Sequence, residues 1–235
     1  MGRPQTIAID GPGAAGKNTV GLLLARRLGY VFIDTGAMYR GVTLRVMQTE
    51  TDFEDTTAIV ALAATTRFAF ASSWEARPAG TVFMDGQDVT HELHTPDVDR
   101  WVSRIASIPE VRTVLIMEQR RLAQEHPVVM VGRDICTVVL PDAELKLYLD
   151  ASPEQRAYRR FHEMRERGET VEYAQVLADL ERRDRLDNET TPLEPPRDAA
   201  KIETDNLSPD DIVTGILAAM EDDDEDEDGG LGLGV

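Results

Sequence analysis

The chain has 235 residues, of which 42% are hydrophobic and 29% charged, a composition typical of a globular protein with one sizeable core. Its formal net charge is −18; outside a run of eight acids, Glu221 to Asp228, it carries 35 acids against 25 bases. An acidic body lacks the basic footprint that sequence-independent nucleic-acid binding needs, so we expect no nucleic-acid partner.

The sequence also limits the compartment in which we expect the protein. Cys136 is the only cysteine, which excludes an intramolecular disulfide and favours a reducing compartment. No apolar run approaches the roughly 18 residues of a membrane span, and Met1 to Gln5 lead directly into a predicted strand. We therefore expect a cytoplasmic protein without a membrane partner, and a monomer.

The first predicted strand, Thr6 to Ile9, enters a glycine-rich turn that is followed by a helix with an apolar face from Val20 to Leu28. Gly11 to Lys17 between them match the phosphate-binding spacing G-x-x-x-x-G-K. Backbone N–H groups of such a loop and the helix N-terminus face an anion, and Lys17 adds a full charge toward the β- and γ-phosphates. The residues predicted to hold ATP are Gly11, Pro12, Gly13, Ala14, Ala15, Gly16, Lys17, Asn18 and Thr19.

This loop departs from the usual pattern at Asn18, which stands where serine or threonine normally offers a hydroxyl group to Mg²⁺. Thr19, one residue later, could take that role directly or through water. We predict ATP and Mg²⁺ as cofactors and Thr19 as the metal ligand, with the choice between Asn18 and Thr19 left open. The alternative, a glycine-containing turn that binds nothing, is disfavoured because strand, spacing and lysine agree.

The remaining core elements repeat the order of strand, polar loop and helix. A second strand is predicted from Tyr30 to Asp34, followed by a helix from Ala37 to about Gln48. Three further strands are predicted at Pro127 to Val131, Leu145 to Asp150 and Lys201 to Thr204. This alternation is typical of a parallel sheet with helical crossovers, so the predicted fold class is α/β with a five-stranded parallel core sheet.

Between those core elements, short strands replace long helices. Phe68 to Ala71 and Thr81 to Met84 are predicted strands, and Asp85-Gly86 is a turn signal, which together predict a small antiparallel insert over residues 66–92. Helices are predicted on either side of it, at about residues 56–64, 96–107 and 109–124.

The C-terminal third is rich in charged residues, and most of it is predicted to be helical. Ser152 starts an arginine-rich helix that runs to Arg167, and a second charged helix covers about residues 171–186. A last helix is predicted from Ser208 to Met220. The acidic and glycine-rich residues 221–235 are predicted to be a disordered tail, because like charges repel and offer nothing to bury.

Polar clusters follow two of the predicted strands, at the sheet edge where parallel α/β proteins bind ligands. They are Asp34 to Arg40 and Gly132 to Asp134. Arginine binds phosphate in a bidentate manner and stays charged when desolvated. A single arginine is more often an exposed ion-pair partner, but Arg133 lies at a strand end between Gly132 and Asp134, which favours a role in anion binding.

From Thr6 to Met220 the chain resembles the bacterial cytidylate kinases, the CMP kinase branch of the nucleoside monophosphate kinases. The resemblance rests on segments in the same order: Ile9–Pro12, Asp34–Arg40, Ser103–Arg112, Gln119–Arg120, Gly132–Asp142 and Leu149–Glu154. It implies a P-loop three-layer fold for residues 1–220, with a helical lid at about residues 153–190 and the small insert in a monophosphate-binding lobe.

The resemblance also implies an activity, the transfer of the γ-phosphoryl group of ATP to CMP and dCMP. The catalytic residues that it implies are Lys17, Arg40 and Arg133. The substrate-binding residues that it implies are Thr35, Tyr39, Arg40, Ser103, Arg112, Arg133, Asp134, Arg183 and Asp187. In this assignment Arg40 and Arg133 hold the acceptor phosphate, Ser103, Arg112 and Asp134 contact cytosine, and Arg183 and Asp187 contact the ribose.

Three positions depart from that family's pattern. Asn18 replaces a small residue, Cys136 replaces a glycine, and the segment Asp187 to Leu193 is short and lacks the arginine that neutralises the transferring phosphate. Arg182 or Arg185 could replace that arginine. Two alternatives remain: a kinase for another acceptor, such as UMP or an alcohol, and a nucleotide-binding module of the same fold with weakened or lost catalysis.

Overall fold

The computed structural model describes residues 3–71, 80–190 and 195–228, except for the side chains of residues 183, 186–190 and 222–228. The strands are β1 (Thr6–Asp10), β2 (Val31–Asp34), β3 (Phe68–Ala71), β4 (Thr81–Met84), β5 (Gln87–Asp88), β6 (Val128–Val131), β7 (Leu145–Asp150) and β8 (Ala200–Glu203). The helices are α1 (Lys17–Leu28), α2 (Thr35–Gln48), α3 (Thr56–Thr65), α4 (Pro96–Ala106), α5 (Pro109–Glu125), α6 (Pro153–Glu166), α7 (Tyr173–Thr190) and α8 (Pro209–Asp228).

The five parallel strands of the central sheet lie in the order β2-β6-β1-β7-β8, which confirms the predicted core. Ile9 in β1 is paired with Val131 on one side and with Leu147 on the other. All four residues of β6 are fully buried, as expected for a parallel strand that is covered by helices on both faces.

Alternate residues of these strands enter two separate cores. Ile7 and Ile9 pack with α1 and α8 on one face, whereas Ala8 packs with α2 to α5 on the other. Successive side chains of a strand point to opposite faces, so a short apolar strand serves both layers. The result is the predicted three-layer arrangement.

The second sheet is the predicted antiparallel insert, with strand order β3-β4-β5. Phe68 is paired with Met84, and the following turn has positive φ angles at Asp85 (50°) and Gly86 (82°), as tight hairpins require. A Cβ atom on Gly41 of α2 would lie 2.4 Å from the Phe68 ring, so this glycine lets the insert pack closely on α2. Residues 72–79 lie outside the described part.

One prediction for the C-terminus is wrong. Helix α8 continues to Asp228, so residues 221–228 are helical rather than disordered. The acidic run contains no glycine or proline before Gly229, and a helix satisfies its backbone hydrogen bonds internally, so the backbone can continue beyond the packed part. Residues 229–235 lie outside the described part. Within the described part, no helix combines the length and apolarity that crossing a bilayer requires.

Candidate active site

The glycine-rich loop turns sharply at the carboxyl end of β1 and leads into α1. Gly11 and Gly16 adopt φ angles of 145° and 97°, where side chains are disfavoured. A Cβ atom on Gly11 would lie 2.1 Å from the carbonyl oxygen of Leu149. Only glycine therefore lets the loop pass this close to β7, and the backbone conformation depends on both residues.

Lys17 lies across this loop, with its ammonium group held by backbone carbonyl oxygens. Its Nζ donates to the carbonyl oxygens of Gly11 at 2.6 Å and Pro12 at 2.7 Å. Burial and the nearby Arg133 lower the pKa of Lys17 to about 8, against the opposing effect of Asp10 and Asp34. A polyphosphate would supply the negative charge that this ammonium group lacks.

Asn18 contacts Asp34 at the end of β2, the first residue of a polar cluster predicted at this edge of the sheet but given no individual role from the sequence. Its Nδ2 donates to Asp34 Oδ2 at 2.6 Å, while Asp34 Oδ1 accepts from the backbone N–H of Gly36 at 2.9 Å. That second bond caps α2, which is why the helix begins at Thr35 rather than at the predicted Ala37. The neighbouring Thr19 is exposed in the first turn of α1.

A cavity of about 990 Å³ extends from the phosphate loop to helices α6 and α7, a size suited to a nucleotide. Asn18, Thr19 and Asp34 line one end of it, and the segment from Thr204 to Pro209 contributes to another part. Among the described residues, six lysine and arginine side chains and five carboxylates also line it: Lys17, Arg40, Arg133, Arg159, Arg160 and Arg167, with Asp34, Glu163, Asp179, Asp184 and Asp205. The lining is therefore slightly positive in a protein that is acidic as a whole, which suits a polyanionic ligand.

Two arginines of α6 connect the phosphate loop to its surroundings, and sequence reasoning missed both. Arg156 is buried, donates to the carbonyl oxygen of Gly13 at 3.3 Å and forms an ion pair with Asp184 of α7 at 2.6 Å. Arg159 donates to the carbonyl oxygen of Ala15 at 3.2 Å and to Thr204 Oγ1 at 3.0 Å. Their only sequence signal is the arginine density of α6, which does not tell inward from outward residues.

At the end of β6, next to β1 in the sheet, Arg112 and Asp134 form an ion pair at 2.5 Å. Asp134 is 8% exposed and precedes a π-helical turn, Ile135–Val139. Asp10 at the end of β1 accepts from the backbone N–H groups of Ile135 at 2.8 Å and Cys136 at 2.9 Å. Burial raises the pKa of Asp10, and these two donors oppose that effect. Asp10 thus fixes the loop that carries Arg133 and Asp134.

Cys136 is 2% exposed behind this loop. Burial and the adjacent Asp10 raise the pKa of its thiol well above the ordinary range. A thiol in this environment is not an activated nucleophile, so Cys136 acts here as a small buried packing residue.

Helix α2 carries three of the residues that the resemblance implicates. The Thr35 hydroxyl is buried and donates to the carbonyl oxygen of Val131 at 2.9 Å, which ties α2 to β6. Arg40 forms an ion pair with Asp99 at 2.7 Å and donates to the carbonyl oxygen of Leu93 at 3.0 Å. Tyr39 has a phenol pKa that is raised by burial, and Arg112 and Asp134 are close enough to influence it.

The remaining implicated residues are less closely associated with this centre. Ser103 is exposed on α4. Arg183 and Asp187 belong to α7, but their side chains lie outside the described part. Arg182 and Arg185 are exposed, and Arg182 pairs with Asp179 of its own helix at 2.9 Å.

Comparison with known proteins gives a consistent result. Residues 7–222 match the family model described as "Cytidylate kinase". A cytidylate kinase of Caldanaerobacter subterraneus subsp. tengcongensis is 43% identical over 216 residues, 91% of this chain and 93% of the relative. One of Roseiflexus castenholzii is 45% identical over 224 residues, 94% of this chain and 96% of the relative. A solved structure of shikimate kinase from Acinetobacter baumannii is 20% identical over 94% of each chain, with a TM-score of 0.46.

Proposed function

The chain belongs to the cytidylate kinase family, and we propose that it transfers the γ-phosphoryl group of ATP to CMP and dCMP, forming ADP and the nucleoside diphosphate. The observation that carries this proposal is the Arg112–Asp134 ion pair beside the phosphate loop. Cytosine presents an amino donor next to ring acceptors, which a carboxylate and a guanidinium complement. Uracil has a carbonyl group in place of the amino group and would face Asp134 with an unfavourable contact.

Charge neutralisation and alignment are sufficient chemistry for this reaction. The acceptor phosphate is already anionic, so no general base and no covalent intermediate are needed. We assign Lys17 to the ATP phosphates, and Arg40 and Arg133 to the acceptor phosphate, because all three line the same cavity. Their positive charges would offset the negative charge on the transferring group.

The residues around Asn18 suit Mg²⁺ bound together with ATP. The Thr19 hydroxyl and the Asp34 carboxylate are oxygen ligands of the kind Mg²⁺ prefers, and both lie in the cavity. We propose Thr19 as the protein ligand, with Asp34, which accepts a hydrogen bond from the Asn18 amide nitrogen, as a nearby carboxylate. The bound ion would supply positive charge to the ATP phosphates.

We further propose that residues 1–220 form the kinase domain and that α6 and α7, about residues 153–190, form its lid. Closure of a lid excludes water that would otherwise hydrolyse ATP. Arg160 of α6 and Arg167, its C-cap residue, line the cavity, whereas Arg182 and Arg185 are exposed and do not line it. The arginine missing after Asp187 is therefore better replaced from α6 than from α7.

The partners in this proposal are small-molecule nucleotides, ATP with CMP or dCMP. A cytoplasmic monomer without a nucleic-acid partner fits the acidic body and the single buried cysteine.

The proposal is tested by ADP release with ATP–Mg²⁺ and each of CMP, dCMP, UMP and AMP. We expect turnover with CMP and dCMP well above UMP and AMP, and a loss of at least about 100-fold in kcat/KM for CMP in Asp134→Ala, since a buried charge-paired contact is removed. Asp142→Ala, at an exposed position after the same loop, is the control and should match the wild type. CMP binding without turnover would instead support a nucleotide-binding module.

A further inference from the structure

The Asp99 carboxylate of α4 lies next to the proposed acceptor-phosphate site but has no role in the activity described above. Its Oδ1 is 2.7 Å from one terminal nitrogen of Arg40. The other terminal nitrogen of Arg40 donates to the carbonyl oxygen of Leu93 at 3.0 Å. The Arg40 and Asp99 side chains are 20% and 30% exposed, so solvent and salt screen this pair less than a fully exposed one. The guanidinium group is therefore held at two points.

Both of these contacts leave the cavity side of Arg40 available. Arg40 lines the cavity, as does His94, whereas Leu93 and Asp99 do not line it. A guanidinium group has five N–H donors, and the two contacts use one on each terminal nitrogen. The Nε–H and one N–H on each terminal nitrogen remain for a ligand. A phosphate can thus bind Arg40 without displacing Asp99.

The helices that carry the two side chains are themselves fixed in position. Helices α2 and α4 pack in one core, to which they contribute Met38, Val42, Val98 and Ile105. On α4, Trp101 also stacks on Phe53, with ring centroids 4.2 Å apart. Asp99 is therefore presented by a helix that is packed at several points, which is what precise orientation of a binding group requires.

We propose that Asp99 is a positioning residue of the acceptor-phosphate site, which holds the Arg40 guanidinium group with its remaining N–H donors toward the phosphate of the nucleoside monophosphate. An unrestrained arginine has many rotamers and loses this freedom when a ligand binds. The contacts with Asp99 and Leu93 remove that freedom in advance. This inference rests on the proposed function, which assigns Arg40 to the acceptor phosphate.

A carboxylate beside a phosphate-binding arginine can also act in the opposite sense, by neutralising the charge that attracts the phosphate. Two substitutions separate these effects. Asp99→Asn keeps a side-chain oxygen that accepts from Arg40 but removes the charge, whereas Asp99→Ala removes both. If orientation dominates, only Asp99→Ala weakens CMP binding. If neutralisation dominates, both variants bind CMP more tightly than the wild type.

The test is the steady-state kinetics of the two variants. We expect Asp99→Ala to raise the KM for CMP about fivefold, the effect of releasing one long side chain, and Asp99→Asn to stay within about twofold of the wild type. The KM for ATP should be unchanged within about twofold. Cytidine lacks the phosphate, so its inhibition constant in competition with CMP should also be unchanged within about twofold.

Asp97→Ala is the matched control, since it removes an exposed acid from the same first turn of α4 and should alter none of these values. A lower KM for CMP in both Asp99 variants would overturn the proposal in favour of neutralisation. Equal weakening of CMP and cytidine in Asp99→Ala would also overturn it, because a general disturbance of the acceptor lobe does not depend on the phosphate.

A double-mutant cycle with Arg40→Ala tests the route through the guanidinium group. In that background, Asp99→Ala should change kcat/KM for CMP by less than about twofold, because the side chain that it positions is absent. A fivefold loss there would overturn the inference. Absence of CMP turnover in the wild type would contradict the proposed function itself, whereas wild-type turnover with an unchanged KM in Asp99→Ala contradicts only the role of Asp99.

Discussion

Lys17 shows how a single residue is prepared for an anion that the free protein lacks. Its ammonium group has two carbonyl oxygens as hydrogen-bond partners, but carbonyl dipoles compensate a buried positive charge only in part. The lowered pKa, about 8, is the result. The bound phosphates would complete this electrostatic environment.

A pH dependence of ATP binding follows from that pKa. Only protonated Lys17 attracts phosphate, so ATP affinity should be constant below pH 8 and fall as the pH rises through about 8, by up to tenfold per pH unit. Titration calorimetry with ATP–Mg²⁺ between pH 6 and 10 measures this. Lys17→Arg, which stays charged throughout the range, is the comparison and should show no such fall. An equal decline in both proteins would assign the titration to another group.

The Asp10 carboxylate is a second single residue with a structural effect, since it connects two segments that are far apart in the sequence. It joins the end of β1 to the backbone of residues 135 and 136, and so fixes the loop that carries Arg133 and Asp134 relative to the phosphate loop. These two loops carry residues proposed for the acceptor and for ATP. In that proposal, the distance between the two sites depends on a residue that is itself only 2% exposed.

Helices α6 and α7 form a unit that is joined to the phosphate loop by Arg156. This guanidinium group reaches the carbonyl oxygens of Ala151 and Gly13 and pairs with Asp184. Because Arg156 is buried, removal of Asp184 would leave a poorly compensated charge. This ion pair is one of the contacts that orient α7 against α6, together with the Tyr173 hydroxyl, which donates to the carbonyl oxygen of Glu154 at 3.2 Å.

Asp184→Ala should lower the free energy of unfolding by about 3 kcal/mol, because a buried arginine loses its counter-charge. Urea unfolding followed by circular dichroism measures the change. Asp179→Ala provides a matched control on the same helix, since Asp179 pairs with the exposed Arg182 and should cost less than about 1 kcal/mol. Equal effects of the two substitutions would show that the Arg156–Asp184 pair stabilises the fold no more than an exposed ion pair does.

At the scale of the whole molecule, a net charge of −18 coexists with a cavity whose described lining has six lysine and arginine side chains against five carboxylates. The cavity is thus much less acidic than the molecule as a whole, and an anionic ligand meets less repulsion there than over the rest of the protein. The acidic run at the end of α8 contributes eight of the 43 acidic residues. The described core contacts of that helix are made by Ile212, Val213 and Ile216, with the partly buried Leu217 and Met220 packed against them.

Removal of residues 221–235 should therefore leave kcat and the KM for both nucleotides unchanged within about twofold. The thermal midpoint should not fall, because among the described side chains the core between the sheet, α1 and α8 ends at Met220, and because acids at a helix C-terminus are unfavourable toward its dipole. Steady-state kinetics and thermal unfolding of the truncated chain measure both. A large loss of activity would assign the tail a role that its sequence does not indicate.

The local order of elements could be predicted from the sequence because its causes are local. Apolar runs, the glycine spacing before Lys17 and the cap at Ser152 each act within a few residues of one another. The phosphate loop, the antiparallel insert and the five core strands were predictable for this reason. The sequence also indicated Arg133 and Asp134, since polar residues at the end of a buried strand point to a site.

The tertiary structure alone decided how these segments meet. The sheet order brings β6 beside β1, so that Asp10 contacts a loop 125 residues away in the sequence. The same holds for Arg156 with Gly13, which are 143 residues apart in the sequence. Contacts of this kind leave no local pattern, because each residue type is compatible with an exposed position, and only packing of distant elements decides which side chains become buried together.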